Sequence, residues 1–210
     1  MILEGKKINF LGDSITEGHG TTNPAETTFH QLIRKTYNLA GAYNCGIGGT
    51  RIARTPIPTY GCIRHDLDFM LRAQRMPMEA DAIVVFGGTN DFGHAKSSLG
   101  EPDSTDPFTF YGGLNILCKQ LIETYPGKPI IFMTPIHRTN ETEKLNGYIL
   151  EDFVVAIRTV TAKYNLPLID LFAELDLDPF NKELVPDGLH PSDAGHKIMA
   201  EFIGKKLEAL

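Results

Sequence analysis

Residues Ala82 to Phe86, AIVVF, are apolar without a break. A strand with one wet face alternates apolar and polar residues, because successive side chains point to opposite faces. A run that never alternates reads as a strand covered on both faces, as in a parallel sheet flanked by helices. Lys7 to Leu11 (KINFL), Pro129 to Met133 (PIIFM) and Leu166 to Leu171 (LPLIDL) are further apolar runs, and Ala42 to Cys45 is a fifth strand candidate of poor composition. Between them lie stretches with helical spacing: Ala25 to Asn38, Ile63 to Gln74, Phe108 to Tyr125, Thr142 to Tyr164 and Ser192 to Leu210. In the first, Phe29, Leu32, Ile33 and Tyr37 share one side. Pro126-Gly127 ends the third, and Pro191-Ser192 caps the last. Strand alternating with helix implies βαβ units. The expectation is an α/β fold with five parallel strands between helices, residues 1–210 forming one domain.

Composition narrows the partners. With 42% hydrophobic and 22% charged residues the chain is of ordinary globular type. A net charge of −6 and the lack of any basic run argue against nucleic acid or an anionic membrane surface. No apolar stretch approaches the length of a transmembrane helix. The first residues, MILEGKKINF, lack the segments of a secretory signal. Cys45, Cys62 and Cys118 are odd in number and widely spaced, with no CxxC pair. These features point to a reduced, cytoplasmic protein. No metal is expected, since the seven histidines form no H-x-x-x-H or H-x-x-E-H pattern.

In open parallel sheets ligands collect beyond the carboxyl ends of the strands. Four segments carry candidate chemistry, and three of them directly follow predicted strands. Gly12-Asp13-Ser14-Ile15-Thr16 follows the first run and places a hydroxyl at the sheet edge. It also reads as a simple strand-to-helix turn capped by Asp13 or Ser14. It is not a G-x-S-x-G elbow, because Thr16 occupies the last glycine position. Asn44 to Thr50, NCGIGGT, fits neither G-x-G-x-x-G nor a P-loop, so no nucleotide cofactor is expected. Its glycines can instead leave a backbone N–H open to a developing negative charge. Gly87-Gly88-Thr89-Asn90-Asp91 follows the clearest strand, and the Asn90 amide is a donor of the kind an oxyanion needs. In Asp187-Gly188-Leu189-His190-Pro191 the carboxylate can curl back onto one ring nitrogen, leaving the other as a base. Alone, that pair reads more readily as a loop salt bridge.

The order and spacing of these four segments resemble the SGNH hydrolases, the GDSL-like esterases and lipases. The resemblance runs from Gly12 to Pro191 and implies a three-layer α/β/α, flavodoxin-like fold. By position, Ser14 matches the family's nucleophile, Gly49 and Asn90 its oxyanion donors beside the Ser14 N–H, and Asp187 with His190 its closing DxxH. Ile15 stands where the family's name has leucine, and Gly48-Gly49 where a small residue often precedes the glycine.

The resemblance implies a small-molecule ester as substrate, with short acyl or sugar O-acetyl groups as the leading class. A thioesterase or lysophospholipase would use the same machinery. A flavodoxin-like nucleotide- or flavin-binding module remains open on the fold pattern alone. His19, His94 and His137 follow strand ends, and Arg51 and Arg54 follow the glycine turn. The histidines could line the cleft and the arginines could meet a carboxylate or sugar on the substrate, but solvated surface side chains are the favoured reading of all five. Asp13 and Asp91 read as backbone-binding groups that steady their turns. Gly93 to Pro107, the longest irregular segment, reads as a substrate-side loop.

Overall fold

The apolar runs form the sheet expected of them. The computed structural model describes residues 1–55, 63–94 and 98–210. Strands β1 (Lys7–Gly12), β2 (Gly41–Gly46), β3 (Ala82–Phe86), β4 (Ile130–Met133) and β5 (Leu168–Ile169) are all parallel, in the order β2-β1-β3-β4-β5. Helices α1 (Ser14–Glu17), α2 (Pro24–Thr27), α3 (Phe29–Thr36), α4 (Phe69–Ala73), α5 (Thr89–Gly93), α6 (Phe110–Thr124), α7 (Leu150–Lys163), α8 (Leu171–Glu174) and α9 (Asp193–Ala209) join and cover them. Among the described residues no helix is long and apolar enough to cross a membrane.

Alternate residues of β3 build two cores. Ala82, Val84 and Phe86 face Phe29 and Ile33 of α3 and Met199, Ile203 and Leu207 of α9. Ile83 and Val85 face Phe69 of α4, Leu114 and Leu117 of α6, and Phe153 and Ile157 of α7. Burial on both faces is what the unbroken apolar run requires. The strand ends are level: Gly12 pairs with both Gly46 and Phe86, and Phe86 pairs with Met133. The turns after β1, β2 and β3 therefore emerge side by side. The strand order reverses between β1 and β3, which is where such folds hold their ligands.

Several elements depart from their sequence pattern for local reasons. The helical stretch from Ala25 to Asn38 is two helices, because Thr28 is extended (φ −67°, ψ 150°) and its hydroxyl donates to the Pro24 carbonyl. Ile63 to Gln74 divides likewise, into a 3₁₀ turn (Ile63–Asp66) and α4, where the Asp68 carboxylate caps the helix by accepting from the Leu71 N–H. The stretch beginning at Thr142 turns helical only at Leu150. Before that, Asn146 and Gly147 adopt positive φ in a tight turn closed by the Leu145–Tyr148 bridge. The polar Tyr43 and Asn44 are tolerated in β2 because it is an edge strand, paired on one side only. Residues 95–97 of the Gly93 to Pro107 segment, and Cys62, lie outside the described residues.

Candidate active site

Ser14 is the first residue of α1, and the Asp13 carboxylate caps that helix by accepting from the Ile15 N–H at 3.0 Å. The turn thus serves as cap and as platform for the hydroxyl together. Ser14 Oγ lies 2.9 Å from His190 Nε2 across 176 residues of sequence. His190 Nδ1 lies 2.6 Å from Asp187 Oδ2. An ionised carboxylate only accepts, so Nδ1 carries the ring proton and Nε2 of the neutral ring accepts from the serine. Asp187 Oδ1 is held by the N–H groups of Leu189 (2.9 Å) and His190 (2.7 Å). Partial burial works against its charge, yet these amides and the His190 ring bring the carboxyl down to about 2. It is ionised throughout the working pH range.

A clasp between the loop after α1 and the first residue of α9 holds the distant histidine segment near the serine turn. The Thr22 N–H donates to Asp193 Oδ1 at 3.0 Å, and the Thr22 hydroxyl donates to Asp193 Oδ2. Gly20 passes so close beneath the histidine loop that a Cβ there would meet the Pro191 carbonyl at 2.6 Å. Its φ of +91° also favours glycine.

Opposite the histidine lie the candidate oxyanion donors. One N–H of Asn90 Nδ2 donates to the Thr50 carbonyl at 3.0 Å, leaving the second for a ligand. Of the two adjacent glycines, the Gly48 N–H donates to Glu17 Oε2 at 2.7 Å. The Gly49 N–H has no partner among the described residues. That difference favours Gly49 as the available donor. Asp91 is buried and accepts from the N–H groups of Ile52 (3.0 Å) and Ala53 (2.8 Å), tying α5 to the segment after the glycines. Burial pushes its carboxyl up to about 7, against the pull of those amides and of Arg51.

These groups line a cleft of about 390 Å³ with Glu17, His19, Arg64, His65, His94 and Leu189. The histidine and arginine readings are corrected in part. His19 is exposed, as expected, but its ring packs 4.5 Å from that of His190. His94 is half-buried in the cleft wall, where Arg51 Nη1 donates to its Nδ1 at 3.4 Å. Arg51 is not solvated: it is 1% exposed and also donates to Thr55 Oγ1. Arg54 pairs with Asp68 at 2.8 Å, and His137 pairs with Glu141 at 2.9 Å away from the cleft. Burial raises the thiols of Cys45 and Cys118 to about 11 and 12, so neither is a ready nucleophile.

Sequence reading missed Glu17, His65 and Arg72. Glu17 lies one helical turn beyond Ser14, which is its only signal. His65 lies against Gly49, where a Cβ would meet its ring at 2.5 Å, and nothing in its neighbourhood marks it. Arg72 sits in an ordinary amphipathic stretch.

Comparison with known proteins finds that residues 10–198 match the model of the GDSL-like lipase/acylhydrolase family. An acetylxylan esterase from Xylanibacter ruminicola is 34% identical over 83 residues, which is 39% of this chain and 17% of that protein's length. A solved structure from Lactobacillus plantarum superposes with a TM-score of 0.84 at 29% identity, covering 98% of each chain. The lipase/acylhydrolase from Enterococcus faecalis shares the fold, with a TM-score of 0.69 at 21% identity over 97% of this chain and 96% of that one.

Proposed function

The chain belongs to the GDSL-like lipase/acylhydrolase family, and on that premise we propose that it hydrolyses carboxylic esters through an acyl-serine formed at Ser14. The observation that carries the reading is the unbroken series Asp187–His190–Ser14, with contacts of 2.6 and 2.9 Å, facing Gly49 and Asn90 across one cleft.

In the proposed reaction His190 Nε2 takes the Ser14 proton as Oγ bonds to the ester carbonyl carbon. The carbonyl π electrons move to oxygen, and the N–H groups of Ser14 and Gly49 and the second N–H of Asn90 receive that charge. Collapse of the intermediate breaks the bond to the alcohol oxygen, which takes the proton from His190. Water then repeats the sequence on the acyl-serine, releasing the acid and restoring the hydroxyl. Because Asn90 acts only on charge that develops during the reaction, Asn90→Ala should lower kcat about 100- to 1,000-fold. Steady-state rates on p-nitrophenyl acetate, with KM close to wild type, check this.

The acyl group is short in this reading, and the alcohol is polar. Glu17, His19, Arg64, His65, Asn90 and His94 line the cleft together with Leu189, so the hydroxyl groups of a polar alcohol would find donors and acceptors there. The likeness to an acetylxylan esterase supports sugar O-acetyl groups as the natural class. A fluorophosphonate probe should label Ser14, and kcat/KM should fall along p-nitrophenyl esters from acetate to decanoate. Labelling of another residue would overturn the site. A rise with chain length would favour the thioesterase or lysophospholipase alternative.

A further inference from the structure

Arg72 carries a buried guanidinium directly beneath the site, on α4. Its Nε donates to the Leu67 carbonyl at 2.9 Å and its Nη1 to the Cys45 carbonyl. Its Nη2 donates twice, to the Gly12 carbonyl at 3.0 Å and to the Thr50 hydroxyl at 2.9 Å. The plane also lies 4.8 Å over the Phe69 ring. Among the described residues no carboxylate lies within salt-bridge distance of it. A buried charge with no direct ion pair is costly to fold around, and here it is offset by four hydrogen bonds and by the more distant acidic groups Asp13, Asp68 and Glu17.

The targets of Nη2 point to a role at the site. Gly12 ends β1 two residues before Ser14, and Thr50 follows Gly49. The Gly12 carbonyl also accepts from the Ile47 N–H at 3.1 Å, and the Thr50 hydroxyl donates to the Ile47 carbonyl at 2.6 Å. The Thr50 carbonyl orients Asn90. One nitrogen therefore spans the turn that bears the nucleophile and the loop that bears Gly49 and, through the Thr50 carbonyl, orients Asn90 on α5. Arginine suits this task because its planar fork fixes several acceptors at set angles, which the single ammonium of lysine cannot do.

We propose that Arg72 is a positioning residue that sets the spacing between the Ser14 turn and the Gly49 and Asn90 donors. It touches no substrate and acts through Gly12 and Thr50. The inference rests on the acyl-serine reading given above.

Three variants test it: Arg72→Lys, Thr50→Val and the double variant. Each is assayed on p-nitrophenyl acetate with active sites counted by fluorophosphonate titration. Misplaced donors weaken transition-state binding alone, so kcat per titrated site should fall on the order of 10- to 100-fold in each single variant, with KM close to wild type. The double variant should be no slower than the worse single one, because both break the same link. Thr50→Val leaves the buried charge in place, so it remains informative if Arg72→Lys folds poorly. A purely structural arginine would reduce the titratable fraction or Tm while each remaining site kept its wild-type kcat, and that result would overturn the proposal. So would additive losses, or a loss confined to KM. Ser14→Ala in the same assay separates the two failures: if it stays active, the acyl-serine reading falls, whatever Arg72 does.

Discussion

Ser14→Ala will lower p-nitrophenyl acetate turnover by about a million-fold, to the residue of rate that the oxyanion donors alone provide. The hydroxyl is the atom that bonds to the acyl group, and His190 Nε2, 2.9 Å away, has no other proton to remove there. The substitution is structurally mild. The helix cap belongs to Asp13, and its bond to the Ile15 N–H survives the change. His190→Ala should be as slow, and the double variant scarcely slower than either, since hydroxyl and base work as one unit. The measurement is the initial rate, with a thermal melt to show that the fold is intact. Wild-type turnover in Ser14→Ala would end the acyl-serine mechanism.

Asp187→Asn should cost on the order of a thousand- to ten-thousand-fold in kcat. The new side chain can keep an oxygen for the N–H groups of Leu189 and His190. It then turns its NH₂ toward Nδ1, which must give up its proton and accept. The ring proton moves to Nε2, and the base toward Ser14 is lost. Because the Asp187 side chain is 53% exposed, water can partly solvate the imidazolium in its place, which sets the lower end of that range. The carboxyl lies below its ordinary 3.8, at about 2. Its contribution to stability is therefore complete above about pH 4 and lost as pH falls through 2. Titration of this carboxyl therefore contributes nothing to activity changes above about pH 4, which a kcat profile of wild type and variant against pH will check.

Much of this was legible in the sequence because it rests on short-range pattern. The unbroken AIVVF run demanded cover on both faces and received it from the α3/α9 and the α4/α6/α7 layers. Strand β2 was nearly invisible because an edge position asks little of composition. The break at Thr28 was hidden because a hydroxyl bonding back to Pro24 leaves the apolar spacing intact. At the site, Ser14, Asn90 and the Asp187–His190 pair each carry only a weak local signature, and it was the resemblance to the SGNH hydrolases that implied their proximity. The choice of Gly49 over Gly48 depends on the distant Glu17 carboxylate. The burial of Arg51 and the four-way grip of Arg72 are products of tertiary packing, and no spacing rule encodes them.

The clasp between Thr22 and Asp193 has a kinetic corollary. The hydroxyl and the imidazole are 176 residues apart in the chain, so the pair cannot form until the segment around Asp193 has packed back against Thr22. Ester cleavage is then a late reporter of maturation: in refolding it should lag the recovery of circular dichroism, and weakening that latch should lengthen the lag.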